Sequence, residues 1–339
     1  MWWARILPAV FVASGMQAQH VLHFTATSGF DHGTRGVSFG MFQSICADIG
    51  CMVHDDGTGS TFTDPDELAL YEVVIFSNTS GDNILDAVQR ANFEAWVNAG
   101  GHVLGIHAAS DTYRHSTANG ANTGTWDFYA ELIGASVQQG PNHVDGTPPY
   151  ALSHIGMHAS TANLPDPWVK HEEYYYWEGG FFAPGNQVVL EVEATIGPNG
   201  QVNSYDAPRP VSWYRVLPTG TRVFYTALGH ATSDYTDDAL FRQHIGDALL
   251  WSLNGTTGIG SHSPVPTIRA YPNPAADRLI IEHGSAMAGS TVHILNAVGA
   301  PVLQVPLTHE RTTVDLRGLG PGPYLLSTAD GVLPVWIVR

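Results

Sequence analysis

YEVVIFSNTSGDNILDAVQRANFEAWVNAGGHVLGIH, residues Tyr71–His107, decides the fold. Tyr71–Ser77 is a short apolar run rich in β-branched and aromatic residues, which reads as a buried strand. From Ile84 to Ala99, the apolar residues Leu85, Val88, Phe93, Trp96 and Val97 recur near helical spacing. Gly100-Gly101 ends that helix, and His102–His107 is a second buried strand. Strand, helix and strand in succession form a parallel pair joined by a right-handed crossover.

The same alternation extends both ways. Upstream, Val21–Thr25 is a strand, Gly33–Ile49 a helix stopped by Gly50, and Cys51–His54 a strand. Downstream, Thr125–Ile133 is a short helix stopped by Gly134. Val188–Ala194, Val211–Tyr214 and Arg222–Thr226 are strands, and Asp237–Leu253 is a closing helix. The predicted fold is α/β, a mostly parallel flavodoxin-like or glutaminase-like sheet flanked by helices. Extra strands or a long excursion are expected between residues 135 and 205.

Composition narrows the function. The chain has 339 residues, 44 % hydrophobic and 13 % charged, enough to bury a sizeable core. Its 14 Lys and Arg face 31 Asp and Glu, a formal net charge of −17 that repels nucleic acid and anionic membranes. The 17 His outnumber all Lys and Arg, and imidazole is the commonest metal ligand, so their positions need explaining. The two cysteines, Cys46 and Cys51, lack metal-site spacing. They read either as a disulfide closing a short loop or as two small buried apolar residues.

Both ends read as addresses. Arg5, an apolar run over Ile6–Ala13 and small residues after it form a signal peptide over residues 1–18, with cleavage after Ala18 or after Gly15. No other stretch is apolar enough to span a bilayer. The α/β domain is assigned to residues 19–254. A Gly- and Pro-containing linker follows over 255–267. Over 268–339 come six short β-type runs: Leu279–Glu282, Val292–Leu295, Val302–Val305, Thr312–Leu316, Tyr324–Ser327 and Val335–Val338. Asn296-Ala-Val-Gly299 between two of them reads as a hairpin turn, and the whole as a small antiparallel sandwich.

In an open α/β sheet, ligands bind beyond the C-terminal strand ends, near a switch in strand order. That rule selects Thr27-Ser-Gly-Phe-Asp-His32 after the first strand, His107-Ala-Ala-Ser-Asp111 after the fourth, and Ala227-Leu-Gly-His230 after the last. His171-Glu-Glu-Tyr-Tyr-Tyr-Trp177 adds carboxylates and an aromatic run suited to stacking on sugar rings. Alternation places Glu172 as a solvated neighbour of Glu173, and Tyr174, Tyr176 and Trp177 serve the core or a sugar platform. The plainer reading makes His107 a satisfied core residue and His230 a turn cap. Asp55-Asp56-Gly-Thr-Gly59 lacks calcium-loop spacing and reads as a plain loop.

Ser28–His32, Gly105–Ala109, Leu164-Pro-Asp-Pro-Trp168, Glu172–Tyr175 and Tyr225–His230 occur in the order seen in ThuA-like, trehalose-utilisation proteins, which this chain resembles over about residues 20–253. The resemblance implies a class I glutamine amidotransferase-like fold and the handling of 3-keto-glycosides or related disaccharides. It carries over His32, His107, Glu173 and His230 as catalytic residues. Tyr175, Asp111, His143, His158 and Trp177 are the substrate-binding candidates. Asp31 stands where the family often has Arg. Amidotransferase chemistry needs a nucleophilic Cys at the strand-to-helix elbow, and His107 occupies that place. His32, His107, Glu173 and His230 also suit a divalent metal such as zinc, with an open position for water or a sugar oxygen. A metal-free route uses His107 as base and Glu173 as acid. No nucleotide cofactor is expected.

Tyr271-Pro-Asn-Pro274, Gly322-Pro-Tyr324 and the terminal Arg339 resemble the type A sorting domain of Bacteroidetes-type secretion, although the ending is Trp336-Ile-Val-Arg339. That likeness implies passage through the outer membrane and a place outside the cell or on its surface. Alone, such a sandwich also serves as a spacer or carbohydrate-binding module. The expected partners are a sugar and the secretion machinery, without nucleic acid and without a membrane anchor in the mature chain. The leading reading is a hydrolase or lyase. Competing readings are a non-catalytic carbohydrate-binding protein and a structural module.

Overall fold

The computed structural model describes residues 18–254, 269–282, 290–296, 300–309, 311–328 and 331–338. The expected signal peptide (but for Ala18), the linker and Ala297–Gly299 of the expected turn lie outside the described residues. The chain divides into two compact units.

In the larger unit the strands are β1 (Gln19–Phe24), β2 (Cys51–Asp56), β3 (Val73–Ser77), β4 (His102–Ile106), β5 (Ala135–Ser136), β6 (Pro149–His154), β7 (Trp168–His171), β8 (Phe181–Phe182), β9 (Gln187–Val192), β10 (Arg209–Val216) and β11 (Arg222–Thr226). The helices are α1 (Arg35–Ile49), α2 (Pro65–Leu68), α3 (Ala87–Asn98), α4 (Asp127–Ile133), α5 (Thr232–Thr236) and α6 (Ala239–Asn254). Nine strands form one sheet in the order β2-β1-β3-β4-β11-β10-β9-β6-β7. The first five are mutually parallel. From β10 onward every neighbour is antiparallel.

The expected α/β fold is thus present, with the flavodoxin-like order on its parallel side. Every residue of β3 is buried, as a strand covered on both faces requires. The chain steps from β1 outward to β2, then crosses back to place β3 on the other side of β1. Right-handed crossovers in opposite directions put α1 and α3 on opposite faces. The crevice at this reversal opens above the ends of β1 and β3.

The excursion after α4 supplies β5 to β9. β5 and β8 form a separate two-stranded ribbon, while β6, β7 and β9 widen the main sheet. Strands β6 and β7 and helix α2 escaped the sequence reading, because each is short or only partly apolar. Helix α3 starts at Ala87 rather than Ile84, because the Asp86 carboxylate caps the backbone N–H groups of Val88 and Gln89. The closing helix expected over Asp237–Leu253 is α6, and the short α5 before it was not foreseen. Cys46 and Cys51 form a disulfide across Gly50, which settles the alternative left open above. Asp55 and Asp56 belong to β2, and the Asp56 carboxylate accepts from the N–H groups of Thr58, Gly59 and Thr61, so it fastens a turn.

Among the described residues, the smaller unit has seven strands: β12 (Arg269–Tyr271), β13 (Arg278–Glu282), β14 (Thr291–Leu295), β15 (Pro301–Pro306), β16 (Arg311–Asp315), β17 (Gly322–Thr328) and β18 (Gly331–Ile337). They form one sheet of β12-β13-β16 and another of β15-β14-β17-β18. Leu279, Ile281 and Val314 from the first meet Val292, Ile294, Leu326 and Val335 from the second in one core, so the unit is a small antiparallel sandwich.

Two glycines with left-handed backbone separate local strain from tertiary crowding. Gly50 has φ 82, and a Cβ there would meet nothing within 4 Å. Gly81 has φ 86, and a Cβ there would lie 2.5 Å from Gly29 N, with Ser28 Oγ closer still. Gly50→Ala is expected to cost about 1 kcal/mol, and Gly81→Ala about 3 kcal/mol or more because it also pushes the β1 and β3 loops apart. Urea denaturation of the two variants measures the difference.

Candidate functional site

Each residue selected by the strand-end rule arrives on its own loop. His32 lies in the segment between β1 and α1. His107 directly follows β4 and is fully buried. Its φ of 48° is left-handed, a strained state for a residue with a side chain. His230 follows β11 across Ala227-Leu-Gly229, and Glu173 comes from the segment after β7. One ligand atom from each of these four lies within 4.8 Å of every other. The plain alternatives for His107 and His230 therefore do not describe them fully. Both rings face the same cluster.

The hydrogen bonds assign the tautomer of His107. Its Nδ1 lies 2.7 Å from the Ala227 carbonyl, which can only accept, so Nδ1 carries the hydrogen. Nε2 is turned toward the Tyr175 hydroxyl at 3.0 Å, Glu173 Oε2 at 3.3 Å and His230 Nδ1 at 3.3 Å. His230 Nδ1 is also 3.3 Å from Glu173 Oε2. Atoms bearing lone pairs thus converge on one point, and such a convergence needs a shared proton or a cation. Tetrahedral ligands at zinc bond lengths lie about 3.3–3.4 Å apart. His32 closes the group, with its ring 4.8 Å from His107 and 5.1 Å from His230, both edge to face. Its Nδ1 is buried without a hydrogen-bond partner. A three-histidine, one-glutamate group near enough to hold a metal ion is therefore present, and its donor types suit zinc.

The surroundings set the charges. Burial, then the charges of His107 and His230, push the His32 imidazole down to about 3. The hydrogen bond to Glu173 raises the His230 imidazole despite its burial. For Glu173 itself, burial works toward the neutral acid, but the neighbouring His107 and His230 imidazoles outweigh it and hold the carboxyl well below its usual range. His143 Nδ1 faces the Val144 carbonyl, and its Nε2 sits 3.2 Å from Glu173 Oε1. That contact leaves Oε2 directed at the cluster. Asp111 is close enough to feel the charges of His107, Glu173 and His143, and burial raises its carboxyl.

Residues absent from the sequence-based site hold it together. Asn78 follows β3 with φ 52 and is buried. Its Nδ2 lies 2.9 Å from Thr34 Oγ1, 3.0 Å from Gly229 O and 2.9 Å from Tyr235 Oη, and its two hydrogens are shared among these acceptors. Its Oδ1 accepts from Ala108 N at 3.3 Å. One amide thus touches the loops carrying His32, His107 and His230. The only local signal was an Asn closing an apolar run, a pattern too common to single it out.

Glu172 corrects an expectation. It is buried, not solvated, and its carboxylate accepts from Gly229 N at 2.7 Å and His230 N at 3.2 Å. Residues 172–174 are not a strand, so alternation did not apply. Behind Glu172 lies buried Lys170, whose Nζ is 2.6 Å from Asp234, 2.9 Å from Asp238 and 4.0 Å from Glu172. Burial works against the Lys170 charge, and these carboxylates outweigh it and raise its pKa.

Tyr175, His143 and Asp111 stand at or beside the cluster, but two other expected substrate contacts do not. His158 is stacked between Tyr214, Phe224 and Trp251, and burial pushes it down to about 3. It is a core histidine. Trp177 is buried beside Trp213, and its Nε1 donates to the Pro210 carbonyl at 2.8 Å. Tyr174 and Tyr176 are buried too, so the aromatic run is core rather than platform. A chain with 44 % hydrophobic residues gives no way to tell the two from composition.

The family model described as trehalose utilisation, ThuA, matches residues 20–252. The model of the secretion system C-terminal sorting domain matches 269–334. A solved ThuA-like protein from Bacteroides uniformis is 20 % identical, with a TM-score of 0.56 over 71 % of this chain and 95 % of its own. Another from Parabacteroides merdae is 18 % identical, with a TM-score of 0.51 over 71 % of this chain and 92 % of its own. These likenesses bear on the fold. No curated protein matches the chain.

Asn78→Ala removes bonds to all three loops at once and is expected to cost about 2–3 kcal/mol in denaturant unfolding. Lys170→Met leaves Glu172 and Asp234 facing each other without a cation, and should cost about 3–5 kcal/mol by the same measurement.

Proposed function

The chain belongs to the ThuA, trehalose-utilisation family and carries a secretion sorting domain that marks it for export or the cell surface; from that premise we propose that it cleaves a glycoside or 3-keto-glycoside related to trehalose at the cluster of His32, His107, Glu173 and His230. The observation that carries this reading is the meeting of four donors from four separate loops within 4.8 Å. Side chains so placed have no shared structural task that one hydrogen bond would not serve.

These four residues would hold a divalent cation such as zinc. When bound, such an ion polarises a sugar carbonyl or a water molecule. The chain supplies the rest. Ala227 O fixes the His107 tautomer, and His143 occupies the second oxygen of Glu173. The Tyr175 hydroxyl lies 3.0 Å from His107 Nε2 and would bond a sugar oxygen. Asp111 accepts from a sugar hydroxyl. In a keto-glycoside the carbonyl acidifies the neighbouring carbon, so transfer of its proton to a water-derived base in the site would form a C=C bond as the glycosidic C–O bond breaks, and the departing sugar oxygen would take a proton back. Residues 1–18 direct passage through the inner membrane, and the sorting domain directs passage through the outer one.

Metal analysis of the purified mature protein, followed by turnover assays with trehalose and its 3-keto derivative, tests the reading. The expected result is one zinc per chain and turnover of the keto sugar. His107→Ala should lose metal and lower kcat/KM at least 100-fold. Full activity in the metal-free protein would remove the ion from the proposal. Sugar binding without turnover in the intact protein would make it a carbohydrate-binding protein instead.

A further inference from the structure

With Trp177 and its neighbours in the core, the site lacks the aromatic platform expected from the sequence. Phe30 stands where one is needed. Its side chain is 67 % exposed, and it is the one exposed Phe, Tyr or Trp among the described residues of the larger unit. Its ring lies edge to face with His32, centroids 4.8 Å apart. His32 in turn touches His107 and His230.

A single exposed apolar side chain is ordinary on a mobile loop. The loop of Phe30 is held at several points. Ser28 N and Gly29 N both donate to Ser80 O, at 2.8 and 3.2 Å. Ser80 Oγ donates to the Phe30 carbonyl at 2.6 Å. Ser28 Oγ accepts from Asn83 N at 3.0 Å, and Asp31 Oδ1 accepts from Gly33 N at 2.8 Å. Close backbone contact between Gly29 and Gly81 completes the lock. An aromatic ring fixed in water beside a polar cluster leaves its apolar face unburied, a free-energy cost that a ligand with an apolar face removes.

Resting on the carbohydrate reading above, we propose that Phe30 is the stacking platform of the site, taking the C–H face of a pyranose ring whose reactive carbon lies over the histidines. This assigns a ring-shaped substrate, since an acyclic keto compound offers no comparable face. Phe30 binds and orients, and takes no part in bond breaking.

The test is calorimetric titration of the zinc-loaded mature protein with trehalose, 3-keto-trehalose and the acyclic ketone dihydroxyacetone. Phe30→Ala should weaken binding of the disaccharides about tenfold, leave dihydroxyacetone binding and zinc content as they were, and keep the unfolding midpoint. Phe30→Trp should restore disaccharide affinity, which a general disturbance of the loop would not allow. Disaccharide binding unchanged in Phe30→Ala overturns the platform while the carbohydrate reading stands. An equal loss for ring and acyclic ligands also overturns it. If the intact protein binds neither disaccharide, the carbohydrate reading falls and the platform with it.

Discussion

The site depends on the Asn78 side-chain amide. It sits at the end of a central parallel strand, where the chain reverses its stepping direction and a crevice has to open. Three strand ends there would otherwise carry their loops independently. By bonding Thr34, Ala108 and Gly229, one amide sets the distances between loops distant in sequence. In a water-poor interior each of those bonds would be costly to leave unmade. The left-handed backbone of Asn78 and of His107 is tolerated because these contacts overdetermine it.

A second layer stands behind the first. Glu172 and Glu173 are adjacent in sequence and opposite in task. Glu173 faces the histidines, whereas Glu172 turns back to grip the backbone before His230. Lys170 lies among the carboxylates of Glu172, Asp234 and Asp238 and offsets part of the burial that raises the Glu172 carboxyl. A carboxylate buried without such a partner would tend to protonate or draw the loop toward solvent. The acidic character of the chain thus has an internal counterpart, since a scarce lysine is spent where three carboxylates crowd.

The two histidine-rich neighbourhoods of the sheet show why residue type alone misleads. His107 and His158 are both almost fully buried. His107 has one nitrogen fixed by a carbonyl and the other directed at a polar cluster. His158 is walled by aromatic rings, with Nδ1 turned to Ser160 and Nε2 unpartnered. Burial is common to both, and only the direction of the second nitrogen separates a site residue from a core residue. The same holds for aromatics. The conspicuous run ending at Trp177 was absorbed by packing, while an isolated Phe30 in a Gly-containing loop stayed in water.

From the sequence alone came the α/β class, the parallel strands, the disposition of His32, His107 and His230 beyond three strand ends, and the β-rich sorting unit. These follow from local periodicity and from a topological rule that needs no side-chain partners. The tertiary structure alone decided the opposed roles of Glu172 and Glu173, the clamp at Asn78, the removal of His158 and Trp177 from the site, and the Cys46–Cys51 bond. The reason is sequence distance: Asn78 and Gly229 lie 151 residues apart, and no periodicity within either segment encodes that they meet.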